Sequence, residues 1–308
     1  MTITARFYTG ADDLAKVQEF IAQTTLAEGD MSKLHVGDFP HRLYNGQRKY
    51  PQHELVQLWE EADGALLAWA MVYPKSSNFD FQVRASHQHT PLAREVLDWA
   101  IQHLHHWLVR IEAEDPEIHA DAFEGDVWRM QLLESAGFYN DVEAEPFYST
   151  SRPLSDPIPP LNLPDGFSIR SVAGEHEAGK VGAVHSAAFD SDWTEEEYRT
   201  LMGTPGYDMS RELVVVTPDG DFAAFTVMWY DHLNKTGLFE PVGADARYRR
   251  MGLTRQLMYE GMRRMQAAGL ETALVQYEGD NEASTALYTS AGFKIKYNVL
   301  DYILEENT

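Results

Sequence analysis

Apolar and polar positions along the second half of this 308-residue chain follow two periods in turn. Short runs rich in apolar and β-branched residues, FSIRSV (167–172), ELVVVT (212–217), FAAFTVMWY (222–230), TGLFEPVG (236–243) and TALVQY (272–277), predict strands, ELVVVT of the buried type. Between them the spacing becomes helical. Val181, Val184, His185 and Ala188 predict a helix over 175–189, and Leu253, Leu257, Met258, Met262 and Met265 predict one over 252–268 with Gly269 as its C-terminal cap. Thr194 ahead of Glu195, Glu196 and Glu197 is a helix start with acids in the first turn. A short helix over 283–290 and a strand from Phe293 to Leu304 close the pattern. The first half carries the same signals more faintly: a helix over 13–23, a strand within 64–74, and a helix opened by Thr90-Pro91 that buries Leu92, Val96, Trp99, Ile101, Leu104 and Leu108.

Two features organise these elements. Residues 152–166, RPLSDPIPPLNLPDG, hold five prolines and predict a stiff extended connector. On either side of it lies a weak repeat, LLESAGF at 132–138 and LYTSAGF at 287–293. The expected architecture is therefore α/β, a mixed sheet flanked by helices, present twice: a domain over 1–151, a linker over 152–166 and a domain over 167–308.

Composition narrows the chemistry. There is no cysteine, which excludes disulfides and thiolate nucleophiles and fits a cytoplasmic protein. The formal net charge of −23 argues against a nucleic-acid partner. The longest apolar runs are too short to span a bilayer, and no secretory signal is visible at the N-terminus. Against this acidic background, residues 240–258 (EPVGADARYRRMGLTRQLM) place Arg247, Arg249, Arg250 and Arg255 around Gly252, between a strand and a helix. A basic, glycine-containing turn at a helix N-terminus is suited to bind a pyrophosphate.

Residues 249–254, RRMGLT, resemble the acetyl-CoA signature of the GNAT N-acetyltransferases: Arg249 and Gly252 match, and Thr254 stands where the family has glycine or alanine. Residues 281–293, NEASTALYTSAGF, resemble that family's next motif through Asn281, Tyr288, Gly292 and Phe293. The resemblance covers about residues 165–308 and implies two GNAT-like domains in tandem, the second catalytic. It implies acetyl-CoA as acyl donor and no metal. Arg249, Arg250, Met251, Gly252, Leu253, Thr254 and Arg255 would hold the pyrophosphate. Val242, Gly243 and Ala244 would run beside the pantetheine arm, with a backbone N–H there polarising the thioester carbonyl. Asn281 would contact the cofactor, and Tyr288 would both contact it and act as general acid towards the sulfur. The amine must be neutral to attack, and Glu240 is the first candidate for its base, with Asp231 and His232 behind it.

By the same counting, Leu133 and Asp126 stand in the first half where Tyr288 and Asn281 stand in the second, and VRASHQHTPLAREVL (83–97) lacks a phosphate-turn glycine. The first domain is thus expected to be a degenerate copy. GEHEAGKV (174–181) has glycine-lysine spacing but no Ser or Thr for magnesium, and the histidines of 103–106 lack zinc-hydrolase spacing. The expected reaction is direct acetyl transfer to a primary amine of a small molecule. A non-catalytic acyl-CoA-binding regulator and a protein N-acetyltransferase stand as alternatives, and homodimer formation is left open. Asp190, Asp192, Glu195, Glu196 and Glu197 are candidates to receive a cationic amine and Trp193, Tyr198 and Tyr207 to stack on a ring or sugar, with a solvated, acid-rich helix start as the alternative.

Overall fold

The computed structural model describes residues 3–29, 34–113 and 117–304. The chain forms two compact units, one of residues 1–147 with 297–308 and one of residues 148–296.

Elements follow one order twice. The first run contains β1 (Thr4–Phe7), α1 (Ala11–Glu28), α2 (Asp38–Pro40, continued by a π-helical turn over His41–Gly46), β2 (Val56–Glu60), β3 (Leu66–Tyr73) and β4 (Asn78–Val83). It ends with α3 (Pro91–Arg110), β5 (Ile118–Phe123), α4 (Val127–Ser135) and the two-residue β6 (Tyr139–Asn140). The second run begins with β7 (Phe147–Pro153), β8 (Ser168–Ser171), α5 (Ala178–Phe189), α6 (Glu195–Met202), β9 (Glu212–Val216) and β10 (Phe222–Asp231). It continues through β11 (Thr236–Ala244), α7 (Leu253–Ala267), β12 (Thr272–Glu278), α8 (Glu282–Ser290) and β13 (Lys294–Leu304).

Each unit has the same strand order, β1-β2-β3-β4-β5-β13 in the first and β8-β9-β10-β11-β12-β7 in the second. The first four strands of each are antiparallel neighbours, and the fifth is parallel to the fourth. The sixth strand of each unit comes from the other half of the sequence. Val299–Leu304 of β13 pair with Phe123–Ile118 of β5, while β7 closes the second sheet beside β12. The compact units therefore have different limits from the division at 152–166. That stretch packs onto the second unit: the Leu154 N–H donates to Glu271 O at 2.8 Å, and the Asn162 N–H donates to Gln256 Oε1 at 2.8 Å. Proline fixes the local backbone angle but says nothing about what the remaining carbonyls and N–H groups meet.

The second sheet is covered on both faces. Leu213, Val215, Met228 and Phe239 pack with Leu257, Met258, Met262 and Met265 of α7. Val214 and Phe225 pack on the other face with Val181, Val184 and Tyr198. The alternation along β9 thus feeds two cores, each fully buried aliphatic side chain contributing about 1.5–3 kcal/mol. Gly261 lets α7 lie close, because a Cβ there would come within 2.5 Å of Phe239.

The repeat is structural. Asp126 caps α4 by accepting from Arg129 N, and Asn281 caps α8 by accepting from Ser284 N, both at 3.1 Å. Gly137 and Gly292 end those helices at φ 98° and 91°, a left-handed conformation that favours glycine.

Candidate active site

β11 begins as an ordinary neighbour of β12 and then leaves it. The parallel pairing runs over Thr236, Gly237 and Leu238 against Thr272, Ala273 and Leu274, yet β11 continues to Ala244 and β12 to Glu278. From Phe239 onward the two strands part, and the β11 edge facing β12 is released from the ladder. Such an edge offers N–H and C=O groups to an extended ligand. On its other side, β11 carries a bulge: Thr226 faces Val242 and Met228 faces Phe239, so Glu240 and Pro241 both stand against Val227.

Tyr288 on α8 interacts electrostatically with Glu240, which follows the last residues of β11 that pair with β12. Tyr288 is 5 % exposed, its ring 5.0 Å from that of Tyr277. Burial, then the nearby Glu240 and Tyr277, push its hydroxyl above the usual tyrosine range, so it stays protonated at neutral pH. Its hydroxyl makes no hydrogen bond among the described residues. Glu240 is half-buried, and its main-chain carbonyl accepts from the Trp229 indole at 2.7 Å.

The turn after β11 leads to a bare helix start. Asp245 caps a short turn and engages the Arg247 guanidinium at 2.7 Å, so that arginine is already paired. Arg250 and Gly252 are left-handed at φ 64° and 74°. Gly252 is the N-cap of α7 and supplies no side-chain acceptor, which leaves the first-turn N–H groups to another partner. Arg255 folds back towards Gly252: a Cβ there would be 3.8 Å from its Nη2, and its buried Nε has no hydrogen-bond partner. Arg249, Arg250 and Met251 are exposed, and Leu253 is buried beneath the turn.

The remaining candidate residues have these surroundings. The Asn281 side chain caps α8, about 10 Å along the helix from Tyr288. Asp231 is 4 % exposed and accepts from Asn234, whereas His232 is exposed. Tyr198 and Tyr207 are not free for an acceptor: both hydroxyls donate to Glu212, Tyr198 at 2.5 Å. Trp193 is 8 % exposed and packs on His185 and Tyr198. Trp229, Tyr277 and Glu212 escaped the sequence reading; the proline inside a strand pattern was the one signal of the bulge.

Glu212 gives a stability test. Burial pushes its carboxyl up from 4.5 to about 7 despite the two tyrosine hydrogen bonds. A carboxyl raised in the folded state contributes stability that is complete below the unfolded value and lost as pH climbs through about 7. The loss is about 3 kcal/mol, at about 1.4 kcal/mol per pH unit between the two values. Urea denaturation at pH 5 and pH 8 should show Glu212→Gln gaining on the parent by that order at the higher pH; equal differences at both pH values would refute it.

The first unit has the same parting of strands, filled differently. β4 and β5 pair at Asn78/His119 and Phe79/Ala120, then separate. Arg129, 4 % exposed, reaches into the gap: Nη1 donates to Phe81 O at 2.9 Å and Nε to Asp121 O at 2.6 Å. Its guanidinium lies 4.2 Å from the Phe81 ring centroid and 3.5 Å from Asp80. Thr90 caps α3 by accepting from Leu92 N at 3.4 Å, and Pro91 has no N–H to offer. Leu133, fully buried, stands where the second unit has Tyr288.

Comparison with known proteins agrees with this geometry. Residues 180–293 match the acetyltransferase (GNAT) family. The matched residues all lie in the second unit. Over 195 residues the chain is 29 % identical to a mycothiol acetyltransferase of Kytococcus sedentarius, covering 58 % of this chain and 63 % of that protein. A mycothiol acetyltransferase of Kineococcus radiotolerans is 30 % identical over 168 residues, 53 % of this chain and 54 % of that protein. The chain thus spans less than two thirds of the length of these relatives. In fold, the whole chain is similar to a tandem GNAT protein from the clavulanic acid biosynthesis pathway, with TM-score 0.65, 12 % identity and coverage of 100 % and 99 %. A GCN5-related N-acetyltransferase from Sphaerobacter thermophilus gives TM-score 0.63 at 18 % identity, covering 98 % and 95 %. The fold is GNAT-like in both units. No helix among the described residues is long and apolar enough to cross a membrane.

Proposed function

We propose that the second GNAT domain transfers the acetyl group of acetyl-CoA directly to a primary amine of a small molecule. The observation that carries this reading is the buried, protonated Tyr288 beside Glu240 where β11 parts from β12. The residues present fit the donor: the bare α7 N-terminus and the orphaned Arg255 Nε suit a pyrophosphate, and the open β11 edge suits an extended amide-bearing arm. When bound, acetyl-CoA supplies an activated acyl group on a thiol leaving group.

The protein's own groups then divide the work. Arg249, Arg250, Arg255 and the N–H groups of Met251–Thr254 hold the phosphates. An N–H within Val242–Ala244 donates to the developing oxyanion. Glu240 takes the proton that leaves the attacking amine neutral, and Tyr288 gives a proton to the departing thiolate. Asn281 orients α8 through its cap and so acts at a distance from the sulfur.

The first domain, in this reading, binds no acyl-CoA, because Arg129 already satisfies the carbonyls of both parted strands. Calorimetry should give one acetyl-CoA per chain; two would overturn the inference. On the same sample, thiol release is measured with a panel of amines that includes the acceptor of the mycothiol acetyltransferases. Amine-dependent release is expected. Binding without release from any small amine or peptide would favour a non-catalytic acyl-CoA-binding protein, release with peptides alone a protein acetyltransferase, and no binding would sink the assignment.

A further inference from the structure

The bulge in β11 separates the two things transfer needs from that strand. Glu240 lies at its start, and the N–H groups of Val242–Ala244 lie just beyond it. Between them Pro241 has no N–H with which to anchor the strand. The fixed point is the Glu240 carbonyl, which accepts from Trp229 Nε1 at 2.7 Å. Trp229 is the ladder partner of Leu238, so its side chain reaches two residues along the neighbouring strand to make this bond. The indole is 8 % exposed and packs with Val227 and Leu238. That packing fixes the direction of its N–H, and through it the peptide plane that joins Glu240 to Pro241.

We propose that Trp229 is a positioning residue for acetyl transfer. By holding the Glu240 carbonyl it sets both the direction of the Glu240 carboxylate and the aim of the N–H groups after the bulge. The phosphate turn lies beyond Asp245 and does not depend on this bond. This inference rests on the proposed function, since it assigns Trp229 a role only if Glu240 and the β11 edge serve transfer.

Trp229→Phe keeps an aromatic ring and removes the donor. The expected result is a fall in kcat of about 10–100-fold, the scale of a misaimed catalytic group. The dissociation constant of acetyl-CoA should stay within about threefold, as its phosphates bind elsewhere. The loss should fall on kcat with KM for the amine little changed, a split that a merely loosened fold would not give. Val181→Ala is the control: it loosens a different apolar cluster of the same unit, and should lower the melting temperature while leaving kcat in place. If Trp229→Phe leaves kcat within about twofold, or if both variants lose kcat in step with melting temperature, the positioning role is overturned and the transferase reading stands. If the parent protein neither binds acetyl-CoA nor acetylates any acceptor, the transferase reading itself fails and takes this inference with it.

Discussion

Tyr288→Phe should cut turnover by about 10²–10⁴-fold, the usual worth of a positioned general acid. Acetyl-CoA affinity should change little, because the proposed phosphate turn at Arg249–Arg255 is formed without the tyrosine. The fold should tolerate the change. The hydroxyl has no hydrogen-bond partner among the described residues, so its removal orphans nothing and keeps the ring packing against Tyr277 and Phe293. The measurement is steady-state kinetics beside calorimetry and a melting curve. Loss of kcat with unchanged binding and melting supports the acid role; unchanged kcat removes Tyr288 from the mechanism.

Deleting the chain beyond Lys296 should unfold the first unit while sparing most of the second. Val299–Leu304 pair with β5 and cover it, and Tyr302 and Ile303 are 1 % and 6 % exposed. Asp301 also accepts from His119 at 3.0 Å, and Tyr302 donates to Glu134 at 3.4 Å. Burial of those two side chains alone is worth about 1.5–3 kcal/mol each, before the ladder is counted. A domain's whole stability is about 5–15 kcal/mol, so the loss is a large share of it. Hydrogen exchange should show protection lost across β4 and β5 and kept across β9 to β12, whose sixth strand is β7. Unaltered protection in β5 would mean that the exchanged strand contributes nothing to the first unit.

The exchange also shows where sequence reading stops. Hydrophobic periodicity located β9 to β12, α7 and α8 closely, because each buries a continuous apolar face and its period is written locally. The Thr194 start was legible for the same reason: the Thr194–Glu197 capping box is complete within four residues. The pairing partner of β13 was not legible. A strand's alternation states that it will pair, and nothing in 294–304 distinguishes β5 from a nearer neighbour.

The site divides along the same line. Gly252, the arginines around it, Asn281 and Tyr288 lie within two short windows; helix-end chemistry marks the first window from sequence, and the resemblance to the GNAT motifs marks Asn281 and Tyr288. Tyr198 and Tyr207 read as open aromatic residues there, yet Glu212, buried on another element, claims both hydroxyls. Trp229 reads as one more apolar strand residue, and only the register of β10 against β11 brings its N–H to Glu240. Arg129 carries no signal in the sequence, and only the parting of β4 from β5 gives its guanidinium two carbonyls to fill. The sequence by itself determined most elements of the second half, the trace of a repeat and the basic glycine turn at the start of α7, because those depend on residues within one or two turns of each other. Tertiary structure alone decided which cleft is open, which is filled and which strands trade places, because those outcomes depend on hydrogen-bonding groups brought together from distant parts of the chain.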